Sequence, residues 1–192
     1  MLTREEAWNI VTEFTESETL RRHMLAVESA MRHYAPQYNG DPELWGIVGL
    51  LHDFDYEKYP DVAVEGHPVV GSKILEERGV SEEIRRAILS HAPEITGIEP
   101  QSDMEKVLYA VDELTGFLIA VALVRPSKDI REVKWKSIKK KWKSAAFAAG
   151  VSREHIESAA QALGIELQDL AMTTLEALQK DAEALGVAGN NS

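Results

Sequence analysis

Helix starts and stops recur along the chain with no alternating apolar run to compete with them, and this punctuation leaves an all-α fold as the reading. Thr3-Arg-Glu-Glu6 has the form of a capping box and opens a helix to about Thr15. A second helix runs from about Ser17 to Tyr34, before Pro36. Asp41-Pro42 supplies a cap and a proline at the first helical position for a third, ending near His52-Asp53. Asp53 to Gly66 reads as a loop. A helix from about His67 stops before Gly79, and Ser81 caps another that ends near His91, before Pro93. Ser102-Asp-Met-Glu105 is a second capping box, opening a long apolar helix that ends before Pro126.

A chain of 192 residues suffices for one domain with a sizeable core and a helical extension. We divide it at 125/126: a helical domain over 1–125, a C-terminal helical extension over 126–186 and a flexible tail over 187–192. The 32 acidic residues outnumber the 21 basic ones, and a net charge of −11 disfavours generic binding to nucleic acid or anionic membrane. With no cysteine, disulfides, thiolate catalysis and Cys-type zinc sites are excluded. The N-terminus lacks the basic and apolar regions of a secretory signal, which points to the cytoplasm. The longest apolar stretch, Leu114–Val124, is 11 residues, short of the roughly 20 a spanning helix needs.

Metal-ligand chemistry is concentrated at a few spaced positions: His23, the adjacent pair His52-Asp53, His67, His91 and Asp112. Four of the six histidines belong to this set. A single helical histidine is ordinarily a polar or satisfied core residue, the reading kept for His33 and His155. Imidazole and carboxylate together suit Mn, Fe, Ni or Zn, with Mg also open, and six such groups exceed the three or four that one catalytic zinc needs. Two divalent ions sharing the site is therefore the expectation, although His67 and His91 would also serve as supporting or phosphate-contacting residues around one ion. Asp112 carries its own argument, because an uncompensated carboxylate in Val107-Leu-Tyr-Ala-Val-Asp-Glu-Leu-Thr-Gly-Phe-Leu is costly and a cation stabilises it. Tyr109, Thr115 and Gly116 flank it at helical spacing. Arg125 falls about 20 Å further along an ideal helix and is left out of the site.

The order His…His-Asp…His…His…Asp, in the contexts His23-Met-Leu-Ala-Val-Glu28, Gly49-Leu-Leu-His52-Asp53, Gly66-His67-Pro-Val-Val-Gly71 and Leu89-Ser-His91, resembles the two-metal branch of the HD superfamily of metal-dependent phosphohydrolases. The resemblance covers roughly residues 18–125. It implies an HD-type helical bundle in which one metal is held by His23, His52, Asp53 and Asp112. A second is then held by His67 and His91, with Asp53 shared. It further implies hydrolysis of a phosphate ester of a small metabolite or nucleotide by a metal-activated hydroxide, with Asp53 and Asp112 at the catalytic centre. Lys58, in Phe54-Asp-Tyr-Glu-Lys-Tyr-Pro60, is the first choice for a cation facing the phosphate, ahead of Tyr56 and Glu57. Relatives with a His-Asp-x-Gly-Lys motif place a lysine three residues after the aspartate; its absence argues against a cyclic-dinucleotide phosphodiesterase of that type. Two other readings stand beside this one: a di-iron oxygenase acting on a small polyol or phosphonate, and a non-catalytic metal-binding regulatory module.

From Arg125 to Lys143 there are nine basic and two acidic residues, so this segment carries +7 and the remainder, −11 minus +7, carries −18. Trp135, Ile138, Trp142, Ala145 and Ala149 share one helical face, expected to be core, and the lysines occupy the others, as a solvated face or a phosphate-attracting rim. Helices over Arg153–Leu163 and Glu166–Leu185 follow, and a homodimer through the extension is open.

Overall fold

The computed structural model describes residues 2–61 and 66–189. Among them are ten α-helices, two short 3-10 segments and no strand: α1 Arg4–Phe14, α2 Glu18–Tyr34, α3 Pro42–Leu51, α4 Val69–Glu77, α5 Glu82–Ser90, α6 Pro93–Thr96, α7 Asp103–Leu123, α8 Trp135–Trp142, α9 Arg153–Leu163 and α10 Leu167–Lys180. The all-α expectation holds. Thr3 and Glu6 form the full capping box at α1, and Ser17 and Asp41 cap α2 and α3 through their side chains. Before α7, Ser102 Oγ accepts the Glu105 amide while Glu105 returns to the amides of Gln101 and Ser102. Ser81 stands at the start of α5 without a side-chain capping bond, and the first turn carries Glu82 and Glu83, whose charges suit the helix N-terminus.

Contacts divide the chain into Met1–Tyr109 and Ala110–Ser192, with the boundary inside α7. In the first unit α3 is the central element. Every residue from Trp45 to Leu51 is buried, and the helix packs most extensively on α2 and also against α1 and α5. Glycine makes the α2–α3 approach possible: a Cβ on Gly49 would stand 2.9 Å from the Val27 carbonyl oxygen and 3.0 Å from the Glu28 Cα. Glu28, buried on α2, accepts from Arg4 at 2.6 and 2.9 Å and from Arg32 at 3.0 Å, tying the start of α1 to α2.

In the second unit α10 packs against α8, α9 and the 3-10 turn Ile130–Glu132. The basic helix is shorter than its apolar spacing suggests. It ends at Trp142, and Ala145 and Ala149 lie beyond it. Arg153 gives the reason: its guanidinium donates to the carbonyls of Phe147, Ala148 and Val151, drawing the segment into turns with Ala148 in the left-handed region at φ 45°. Trp142 is partly buried, edge-on to Phe117 at 5.0 Å, with its indole N–H donating to Glu157 at 2.8 Å. The last helix stops at Lys180, short of Leu185. Of the tail expected over 187–192, Val187 and Ala188 are held: the Val187 carbonyl accepts the Ile130 amide at 2.8 Å, and Ala188 pairs with Asp129. Residues 190–192 lie outside the described range.

Candidate metal centre

Five of the six expected ligands belong to the first unit, and four of them, all histidines, converge on the carboxylate of the fifth, Asp53. His23 comes from α2, His52 and His91 are the C-caps of α3 and α5, and His67 sits two residues before α4. Asp53 Oδ2 faces His23 Nε2 at 3.6 Å and His52 Nε2 at 3.4 Å. Its other oxygen, Oδ1, faces His67 Nε2 at 3.2 Å and His91 Nε2 at 3.6 Å. Within each pair the two imidazoles are close, at 3.2 Å for His23 and His52 and 3.1 Å for His67 and His91. The two pairs meet edge to face through His52 and His91, whose ring centres are 5.4 Å apart.

These spacings fit a cation. Two nitrogens bound at the usual ~2.0–2.1 Å to one ion are separated by about 2.9–3.4 Å at cis-octahedral or tetrahedral angles. Both observed Nε2 pairs fall in that interval. The donor set, imidazole with carboxylate and no sulfur, is that of a divalent metal site.

Ring orientation is set by the far nitrogens. His52 Nδ1–H donates to the Gly49 carbonyl at 2.8 Å, and His91 Nδ1–H donates to the Ile88 carbonyl. Both use one local device: a histidine at a helix C-cap satisfies the carbonyl three residues back, one of the orphan acceptors of a helix end. Because a carbonyl only accepts, a proton sits on Nδ1 of each ring, and Nε2, which faces Asp53, is the nitrogen left to lose its proton and turn a lone pair to a cation.

His67 is oriented by a residue the sequence reading did not single out. Asp55, fully buried, accepts from His67 Nδ1 at 2.7 Å through Oδ1 and from the Gly71 amide at 2.7 Å through Oδ2. Its one local signal is its place two residues after Asp53, next to the exposed Tyr56, Glu57 and Lys58.

The charges are strongly coupled. Burial pushes the Asp53 carboxyl up, but His52 beside it and the contacts from His52 and His67 outweigh that and hold it well below the usual carboxylate range. For His67, burial works against the charged form, yet Asp53 and Asp55 on its two nitrogens raise it to about 9. A proton or a cation at this position meets a concentrated negative field.

The remaining expected site residues lie as follows. Lys58 donates through Nζ to the Glu13 carbonyl at 2.9 Å and rests over the Phe14 ring at 4.4 Å, serving the C-terminus of α1. Glu57 accepts the Glu16 and Ser17 amides at 2.7 and 3.0 Å, at the start of α2. Tyr56 is exposed and edge-on to the His67 ring at 5.4 Å. Asp112 belongs to the second unit, partly buried on α7, where its carbonyl accepts the Thr115 hydroxyl at 2.8 Å. A Cβ on Gly116 would meet nothing within 4 Å. Among the described residues no helix is long and apolar enough to cross a membrane.

No curated protein and no solved structure matches the chain. The HD domain family matches residues 20–116, half of the chain and the stretch that carries His23, His52-Asp53, His67, His91 and Asp112. The chain belongs to the HD domain family.

Proposed function

We propose that this protein is a metal-dependent phosphohydrolase that holds two divalent ions and cleaves a phosphate ester of a small metabolite or nucleotide. The observation that carries the reading is the division of labour on Asp53, with one oxygen toward His23 and His52 and the other toward His67 and His91. A carboxylate with a histidine pair on each oxygen is suited to bridging two cations. Asp112 is the proposed sixth ligand, on the strength of the family match that spans it. Bound there, divalent ions supply activation of water at neutral pH and neutralisation of phosphoryl charge.

The chain's own residues supply the rest. His52 and His91 keep their Nδ1 protons on backbone carbonyls, so neither ring has to reorganise as charge develops on the phosphate. Asp53, as a carboxylate facing both histidine pairs, would contribute the negative charge that keeps the cations in place. In the net reaction the oxygen of water bonds to phosphorus, the ester P–O bond breaks, and a proton from the water goes to the departing alkoxide. Lys58 takes part only by leaving the Glu13 carbonyl for the phosphate.

Elemental analysis of protein purified without added metal or chelator, paired with phosphate release from a panel of phosphomonoesters, tests the reading. Wild type is expected to carry about two divalent ions and His67→Ala about one, while Asp53→Ala, which loses the acceptor common to both pairs, carries few and loses turnover by ~10³-fold or more. Wild type that takes up no metal after supplementation would sink the proposal. Iron together with substrate-dependent O₂ consumption and no phosphate release would replace it with the oxygenase chemistry.

A further inference from the structure

His67 differs from its two helix-capping counterparts in a way that leaves it dependent on another side chain. His52 and His91 end their helices and donate Nδ1–H to a carbonyl of the turn behind them. His67 stands before α4, and the partner of its Nδ1 is a side chain 12 residues earlier in the chain. Asp55 takes the part instead. It is wholly enclosed, and its carboxylate is divided between His67 Nδ1 and the Gly71 amide, both at 2.7 Å. The approach to α4 depends on glycine: a Cβ on Gly71 would stand 2.6 Å from both Cγ and Oδ2 of Asp55.

We infer that Asp55 is a positioning residue that determines whether the His67–His91 half of the centre holds a metal ion, by accepting the Nδ1 proton of His67 and the Gly71 amide at the same time. The inference rests on the two-metal reading above. Its physical content is a tautomer argument. His67 can present an Nε2 lone pair only while its proton stays on Nδ1, and Asp55 Oδ1 is the acceptor that keeps it there. Anchoring Oδ2 to α4 fixes where that acceptor stands, so ring orientation and helix position are set together.

Two substitutions separate this from a merely structural role. Asp55→Asn is nearly isosteric, but one of its two ends becomes a donor. With the NH₂ toward Gly71, donor meets donor; with the NH₂ toward His67, Nδ1 must become the acceptor and the proton moves to Nε2, where it blocks ligation. Gly71→Ala leaves the Asp55 charge intact and displaces the carboxylate by sterics alone. Neither change touches the contacts made by His23 or His52.

Chelator-stripped protein is titrated with Zn(II), with His67→Ala as the reference for loss of that half and circular dichroism as the check on folding. Wild type is expected to bind two ions, and both variants one at wild-type affinity and the second about 10–100-fold more weakly. In zinc-loaded wild type, ¹⁵N imidazole resonances should place the His67 proton on Nδ1; in Asp55→Asn that signal shifts while those of His52 stay. Two ions bound at wild-type affinity in both variants would overturn the inference, as would a His67 Nδ1 without its proton in the zinc-loaded wild type. The resonance assignment holds the test open if a variant fails to fold. A wild type that binds a single ion defeats the two-metal reading itself, and Asp55 with it, and that failure is visible before any variant is made.

Discussion

Asp53 shows how a residue's role can be implied by resemblance while its geometry is not. A histidine followed by an aspartate at a helix end is conspicuous in the sequence, and family resemblance assigns the pair to metal. That Oδ1 and Oδ2 face different histidine pairs follows only from where α2, α4 and α5 bring His23, His67 and His91. Asp55 was illegible because its partner His67 is 12 residues away and no spacing rule links them. Lys58 is the converse case: a lysine near the ligand pair reads as a phosphate partner, but the open C-terminus of α1 is within its reach and attracts a cation. Lys58→Ala is accordingly expected to lower the unfolding free energy by about 0.5–1 kcal/mol and leave metal content unchanged, measured by urea denaturation and elemental analysis. A loss of turnover at unchanged stability would instead give Lys58 to the phosphate.

At the scale of elements, the helices whose ends are marked by local chemistry match their expected bounds closely. The capped starts of α1, α2, α3 and α7 and the whole of α9 are in this group. Where the sequence reading ran long, in α8 and α10, the stop comes from tertiary bonds: Arg153 gathers carbonyls after α8, and the segment after α10 turns so that Val187 meets Ile130. The α2–α3 contact is decisive for the centre, since it sets His23 beside His52. Gly49→Ala inserts a methyl against the backbone of α2, where nothing flexible can give way. It is expected to cost about 1–3 kcal/mol in chemical denaturation and to reduce metal uptake by separating the two histidines.

For the whole molecule, protons and metal compete for the same charge, and the signs can be worked out. In chelated protein His67 is raised to about 9 in the folded state, so its contribution to stability is full below about pH 6.5 and is lost as pH rises through about 9. Asp53 is depressed, so its contribution is full above about pH 4 and is lost as pH falls through its lowered value. With respect to these two groups, chelated protein is expected to melt highest between about pH 4 and 6.5 and lower at about pH 9.5. Metal binding must expel the His67 proton, so added Zn(II) is expected to raise the melting temperature more at pH 8.5 than at pH 6.5. Differential scanning calorimetry across that range, with and without zinc, checks both; a zinc shift that grows toward low pH would contradict the assignment of His67.

Taken alone, the sequence determined what depends on neighbours within a turn or two. Caps, prolines and apolar spacing set the all-α class and most helix starts, and residue chemistry picked out imidazoles and carboxylates of the kind that suit a divalent metal. Tertiary structure decided what depends on residues brought together from distant parts of the chain. It put a histidine pair on each oxygen of Asp53, made Asp55 the anchor of His67, and gave Lys58 to a helix end. The physical reason is reach: a hydrogen bond within one helix turn is written in the local sequence, whereas a buried carboxylate is satisfied by whichever donors packing delivers to it.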